Sequence, residues 1–330
     1  MIRIYKNYRG KTSEITNFCT SVTLSGSLTE VSRKLECTCF YKIWDHNHVN
    51  EQIGPITKVW AVLDNKEIFR GIVIDRSINS DETLTFTAFD YAFYLVKNKV
   101  TYNFKNITAN NATKKILSEI GVQAGSIASS NIKINRLIAQ KTVYDSIMEL
   151  YTQVSKQTGK QYYVYMTGLK VNVGELGKNV SSKAIKPTSD VFHGDGNMLS
   201  FEYKDTMSNM VNRVKIYDDK NGYIGKVENS SMIKTYGILQ DNYVKEEDKN
   251  ANVVARNMLR GADKEFSCTT IGNYDYRTGS AVIVKLFAIS SLLNTKMYVI
   301  EDNHTWDIET GTYTTNLNLS YVNKMDAKED

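Results

Sequence analysis

The chain has 330 residues, 42% of them hydrophobic, with 41 basic against 36 acidic side chains and a formal charge of +5. That much apolar material builds two or three domains and excludes wholesale disorder, while a mild basic excess without a basic block argues against nucleic-acid binding as the main task. No apolar run reaches about 18 residues, so no helical membrane span is expected, and the first nine residues lack the apolar core of a secretory signal.

Residues 1–95 read as strands. Residues 21–25 alternate until Gly26 breaks the pattern, and in residues 34–40 Leu35, Cys37 and Cys39 share one face. Period two is the mark of a half-buried strand. Val59, Ala61 and Leu63 repeat it, and residues 68–74 form a more continuous apolar strand in which Gly71 marks a bulge or a close backbone approach. Leu84, Phe86 and Ala88 then alternate with Thr83, Thr85 and Thr87. Asp90 and Tyr91 end that strand, and the carboxylate is expected to hydrogen-bond the backbone of the next turn. Short strands at this spacing predict a sandwich or barrel.

Residues 96–190 change character. A helix is expected from Thr108 to Ile120 with Gly121 as its stop, and a second opens at Thr142 and Asp145 and ends at Gly159. Residues 161–173 predict a hairpin around Thr167 and Gly168. Its tyrosines, Tyr162, Tyr163 and Tyr165, divide between core on one face and contact surface on the other. Together these make a small α/β insert, and Gly and Ser punctuate residues 174–195 as a linker.

Residues 191–330 return to strands. Asn221 and Gly222 signal a hairpin turn, residues 248–262 predict a helix with Ala251, Val254, Ala255, Met258 and Leu259 on its apolar side, and residues 324–330 form a polar, frayed tail. Residues 279–286, 297–301 and 313–320 repeat the order of residues 54–63, 68–74 and 83–90: a glycine-led strand, a short apolar strand, and a Thr-rich alternating strand. The predicted fold is therefore mainly β (α+β), with two tube-like barrel or sandwich domains related by duplication, at 1–95 and 191–330, and the insert domain at 96–190 between them. A chain that builds one β-unit twice is suited to repeated contacts rather than to a single catalytic pocket.

Catalytic and metal signals are thin. Cys37 and Cys39 lack the second half of a zinc site, so Cys19, Cys37, Cys39 and Cys268 read as buried free thiols. His46 and His48 lack a third ligand and read as loop residues, His193 belongs to a Gly-rich turn, and His304 reads as a packing histidine beside a buried Trp306. No GxSxG elbow, Walker loop or HExxH helix occurs. No catalytic residue, cofactor or metal is expected. A cell-wall hydrolase and a carbohydrate-binding module stand as the alternative functions.

Several segments carry a family likeness. They are residues 32–36, Phe69 to Val73 around Gly71, residues 87–91 ending in Asp90 and Tyr91 with Leu95 after them, residues 106–109 before a helix ending at residues 119–121, residues 209–214 around Asn212 and Arg213, residues 236–240, and His304 with Trp306. In order and spacing they resemble the baseplate hub proteins of contractile phage tails and phage-tail-like bacteriocins, the late-control or tail-hub family in its Gram-positive prophage form. The likeness implies that Phe69, Gly71, Asp90, Tyr91, Leu95, Asn212, Arg213, His304 and Trp306 are structural signature residues. It implies a homotrimer whose two tube-like domains per chain give a pseudo-sixfold ring. The partners implied are a tail tube or tube-initiator protein, a spike protein and other baseplate proteins, without sequence-specific nucleic acid or membrane insertion. It also implies assembly in the bacterial cytoplasm and release on lysis.

Overall fold

The computed structural model describes residues 1–188, 195–245 and 250–328. They fall into two compact units, Met1–Phe201 with Ser267–Asp330, and Glu202–Phe266.

In the larger unit the chain begins with seven strands: β1 (Ile2–Tyr8), β2 (Lys11–Glu14), β3 (Cys19–Ser27), β4 (Lys34–Phe40), β5 (Lys58–Leu63), β6 (Lys66–Ile78) and β7 (Thr83–Asp90). The alternation seen in the sequence fixes which side is buried: Val22, Leu24, Leu35, Cys37, Val59, Ala61, Leu84, Phe86 and Ala88 share one core, while Thr83, Thr85 and Thr87 stay partly exposed. Each large apolar side chain buried this way contributes roughly 1.5–3 kcal/mol. Gly26 lies inside β3 rather than ending it, because β19 pairs with β3 through Gly26 and on to Ser27 after the β4 ladder has ended at Ser25.

After β7 comes a short helix α1 (Phe93–Lys97), then the insert: β8 (Lys99–Thr108), α2 (Ala109–Glu119), β9 (Gln123–Ile127), β10 (Lys133–Thr142), α3 (Val143–Thr158), β11 (Tyr162–Thr167) and β12 (Lys170–Glu175). The Thr142 hydroxyl accepts from the Asp145 N–H at 3.0 Å and donates to the Asp145 carboxylate at 2.7 Å, the reciprocal cap its sequence suggested. Ile116, Ile147, Leu150, Val154, Tyr162 and Val171 fill the insert core. The β8–β10 pair was not apparent from periodicity, since both strands are largely exposed. Within the expected linker at 174–195, Val180 and Ile185 bridge onto residues 281 and 284, and residues 189–194 fall outside the described residues. The tail is held, through residue 328. Met325 is in the insert core, Tyr144 donates to Asp326 at 2.9 Å, and the Lys328 N–H donates to Thr152.

β13 (Met198–Thr206) carries the chain out of the larger unit. The smaller unit holds β14 (Arg213–Tyr217), β15 (Tyr223–Glu228), α4 (Ser230–Tyr236), β16 (Gln240–Val244) and α5 (Ala251–Met258). The β14–β15 hairpin turns at Asn221, whose φ of 63° is the left-handed conformation that asparagine tolerates. Val254, Ala255 and Met258 of α5 pack against Val214, Ile216 and Tyr243. The helix stops at Met258 instead of 262 because Leu259 turns extended and Arg260 pairs with Val211. β17 (Asp263–Ile271) brings the chain back, followed by β18 (Ala281–Val284), β19 (Thr295–Asp307) and β20 (Thr312–Ser320).

One sheet runs β13-β17-β20-β19-β3-β4-β7-β6-β5-β1-β2, with β18 also on β19. The order β3-β4-β7-β6-β5 therefore recurs as β13-β17-β20-β19-β18. The repeat extends to single hydrogen bonds. Both middle strands, β6 and β19, have 13 residues, and each has a register shift against its hairpin partner, between Val73 and Asp75 and between Val299 and Glu301. Ile56 N–H donates to the Val73 carbonyl at 2.9 Å and Val73 N–H to Thr57 at 2.9 Å. Gly279 donates to Val299 at 3.2 Å and Val299 to Ser280 at 3.0 Å. Thr57 closes a turn onto Gly54, and Ser280 closes the same turn onto Arg277, both at 3.0 Å. Even the positive φ recurs, 67° at Ile56 and 90° at Gly279. The two copies are thus the same supersecondary unit, as the repeat in the sequence predicted.

Candidate functional site

The two β-units are joined inside the chain where β3 pairs antiparallel with β19, from Ser27 opposite Glu301 to Ser21 opposite Asp307. The joint shares a core as well as a ladder, since Trp306 of β19 sits with Val22 and Leu24 of β3. At its centre is a polar cluster around a buried carboxylate. Arg33, on the turn between β3 and β4, forks onto both carboxylate oxygens of Asp302 on β19. The Thr278 N–H donates to the same carboxylate at 2.6 Å, and the Thr278 hydroxyl lies 2.6 Å from Asp302 Oδ1 and 3.0 Å from the Gly26 carbonyl. One cation and one backbone donor thus meet a carboxylate that is 2% exposed.

The electrostatics follow from burial. Desolvation works against a charge at Asp302, but the Arg33 guanidinium and then His304 overcome it and hold the carboxyl below the usual range. Burial pushes His304 down, and Asp302 offsets this only in part, so the imidazole is neutral at neutral pH. Its Nε2 lies 3.1 Å from Asp302 Oδ2, off the line of a good hydrogen bond, and its Nδ1 is hydrogen-bonded with the Tyr313 hydroxyl at 2.9 Å. Thr315 Oγ1 is 3.1 Å from the same Nδ1. The carboxylate, imidazole and hydroxyl have the order of a nucleophile relay. His304 and Thr315 are both 0% exposed, however, so no substrate reaches the hydroxyl. The arrangement acts as a rivet between the two β-units, not as a reaction centre.

The expected signature residues separate into three places. Phe69 and Gly71 lie buried on β6, and a Cβ on Gly71 would stand 2.2 Å from the Phe89 carbonyl oxygen, so the expected close backbone approach is there, while the bulges fall at neighbouring positions. Asp90 is 3% exposed, its Oδ1 accepts the Ala92 N–H at 3.0 Å, and its own N–H donates to the Arg33 carbonyl at 3.1 Å. Burial drives its pKa up from 3.8 to about 7. Tyr91 is half-buried beside it, and Leu95 of α1 is sealed in the insert core. His304 and Trp306 lie at the joint, Trp306 stacked 4.5 Å from the Tyr313 ring. Asn212 and Arg213 lie in the smaller unit. Asn212 donates to the Gly237 carbonyl at 2.7 Å and accepts from the Leu239 N–H at 2.9 Å, and Arg213 pairs with Glu228 at 2.8 Å.

Asp302, Thr278 and Arg33 were not singled out for the joint from sequence. The signal available was a charged pair, Glu301 and Asp302, inside a strand that otherwise alternates apolar and polar. The four cysteines are free and buried, with Cys19 and Cys39 sulfurs 3.3 Å apart. Among the described residues no group of His, Cys, Asp and Glu has the geometry to hold a metal, and no helix is long and apolar enough to cross a membrane. His46 and His48 lie in an exposed loop, and His193 falls outside the described residues.

A protein-family profile described as YQBQ-like matches residues 22–320. The chain is 27% identical over 310 residues to the Bacillus subtilis "Uncharacterized protein YqbQ", covering 89% of this chain and 90% of that one. It is 30% identical over 253 residues to the B. subtilis "Phage-like element PBSX protein XkdQ", covering 74% of each. Its fold matches the crystal structure of the 43 kDa tail protein of prophage MuSo2 from Shewanella oneidensis, with a TM-score of 0.73 at 14% identity over 99% of this chain and all of that one.

Proposed function

The chain belongs to the YQBQ-like family, a phage tail and baseplate type of protein, and from that premise we propose that it is the structural hub of a contractile tail or tail-like injection particle. Three copies associate into a pseudo-sixfold ring. One face of the ring meets the hexameric tail tube or its initiator, and the other meets a trimeric spike. Other baseplate proteins surround it. In this reading residues 1–95 and 191–330 supply the two tube-like domains, and residues 96–190 supply the insert between them.

The observation that carries the reading is the recurrence of one strand order, down to matching hydrogen bonds and bulges, in a single continuous sheet. Two equal units per chain let three chains present six nearly equal surfaces. A contact of this kind closes into a ring only when its rotation closes, and permanent interfaces bury more than about 2,000 Å². The Arg33–Asp302–His304 cluster supports a mechanical role, since it fixes one unit against the other while its carboxylate and imidazole stay buried. In this reading the chain performs no catalysis, binds no cofactor and serves in the particle, assembled in the bacterial cytoplasm and released on lysis.

Native mass spectrometry of the full chain, alone and with the tube and spike proteins of its particle, tests the proposal. A three-copy mass is expected; a stable dimer overturns it. Turbidity of a cell-wall suspension should not fall when the purified chain is added, and sustained clearing would refute the non-catalytic reading.

A further inference from the structure

We propose that the far half of β6, Asp75–Ile78, pairs with the outer edge of β13 from a second copy of this chain, repeating between subunits the β3–β19 joint that exists within one. The inference rests on the ring reading above and deepens it by assigning the edges that mate.

The matching hydrogen bonds set the equivalence. Val73 and Val299 occupy the same place against the preceding strand of each unit, and the register shift follows in each. Beyond the shift, the two strands differ in one respect. On β19 both sides are occupied, by β20 and by β3, and the joint begins at once, with Leu28 N–H donating to the Ile300 carbonyl at 2.9 Å and Ser27 opposite Glu301. On β6, β7 continues along one side to Ile78, while pairing with β5 on the other side stops at Ile72. Asp75, Arg76, Ser77 and Ile78 are all exposed, Ile78 by 41%. The seat that β3 takes on β19 is open on β6.

The strand that fits this seat is also present. In the repeated order, β13 holds in the second unit the position that β3 holds in the first. β3 spends its outer edge on β19. β13 ends the sheet, and among the described residues its outer side is met only near its start, where Pro187 bridges to Met198. Leu199, next along, is 51% exposed. An unpaired edge templates another strand, and proteins blunt the edges they do not use. The other end of the sheet is blunted in this way: β2 has four residues, of which Lys11 and Glu14 are charged and exposed. The β6 half and β13 each carry an exposed apolar side chain, Ile78 and Leu199, beside their charged residues, whereas β2 has none.

The pairing is head-to-tail, because the open seat belongs to the first unit and the open strand to the second. Joints then alternate, one within a chain and the next between chains, and each joins a second unit to a first unit or the reverse. A single type of contact thus runs round the whole ring, which is what a closed heterologous assembly requires.

Two substitutions test the edges on the full-length chain. Ile78→Pro and Ser200→Pro each remove a ladder donor from a solvent-facing edge. Sedimentation should show a trimer for the unmodified chain and loss of the trimer for either variant, with thermal melting checking that each stays folded. Independently of proline, Ser77→Cys and Ser200→Cys chains are mixed and treated with a short bis-maleimide; the native thiols are buried. A covalent dimer should form in the mixture and not with either variant alone. A trimer that survives both prolines, with no cross-link specific to the mixture, overturns this inference and leaves the hub reading standing. An unmodified chain that is a stable dimer, or still monomeric at millimolar concentration, overturns both.

Discussion

Replacing Arg33 with methionine is the sharpest test of the rivet between the two β-units. The substitution keeps much of the side-chain volume and removes the cation from a carboxylate that is sealed from solvent. Breaking a buried pair from one side costs roughly 3–5 kcal/mol, because the remaining charge has lost its partner but not its desolvation penalty. Asp302 keeps the Thr278 donors and the nearby imidazole, so the lower end of that range is expected. Urea denaturation followed by tryptophan fluorescence measures it, and all three tryptophans, Trp44, Trp60 and Trp306, lie in the larger unit, so unfolding of the smaller unit does not enter the signal. Asp302→Asn in the Arg33→Met background removes the stranded charge and should recover part of the loss, with a coupling of roughly 1–3 kcal/mol. The pH dependence has a fixed sign. In the native chain the depressed Asp302 contributes stability above the ordinary carboxylate range and loses it as pH falls through its folded pKa. Without Arg33 that pKa rises, so the variant's deficit is greatest at neutral pH and shrinks in acid. A loss below about 1 kcal/mol at neutral pH, the value of an exposed pair, or a deficit indifferent to pH, refutes the argument.

Asp90 behaves in the opposite sense. Its folded pKa of about 7 lies above the ordinary 3.8, so its contribution is present in acid and is lost as pH rises from about 4 to about 7, by on the order of 4 kcal/mol at most. Asp90→Asn retains an oxygen for the Ala92 N–H, so it should flatten this part of the melting-temperature profile and raise stability above neutrality; lower stability there would refute the assignment. Gly71→Ala forces a methyl group against the Phe89 carbonyl and should cost roughly 1–3 kcal/mol or more by denaturant titration. The four thiols should be silent to a thiol reagent in the native protein and titrate fully in denaturant. Burial pushes Cys268 up to about 12, and hydrogen bonding among neighbouring thiols together with burial pushes Cys19 and Cys39 higher still, and a thiol that reacts at once in the folded chain would contradict this.

The sequence by itself determined the β-units. Alternation at Leu35, Cys37 and Cys39 or at Leu84, Phe86 and Ala88 is a local signal, because a half-buried strand shows its two faces in successive residues. The Thr142 cap, the Gly168 turn and the Asn221 turn were legible for the same reason: each depends on neighbours within a few positions. The duplication was legible because residues 54–90 and 279–320 repeat in order. What the tertiary structure decided was everything that long-range pairing controls. Gly26 stays in a strand because β19 pairs through it, with Asp302 opposite, the segment before residue 188 bridges onto β18, and α5 stops early because Arg260 finds Val211. The rivet belongs to this second kind. Arg33 and Asp302 are separated by 269 positions, and no periodicity links two residues that far apart; only the meeting of β3 with β19 brings the guanidinium to the carboxylate.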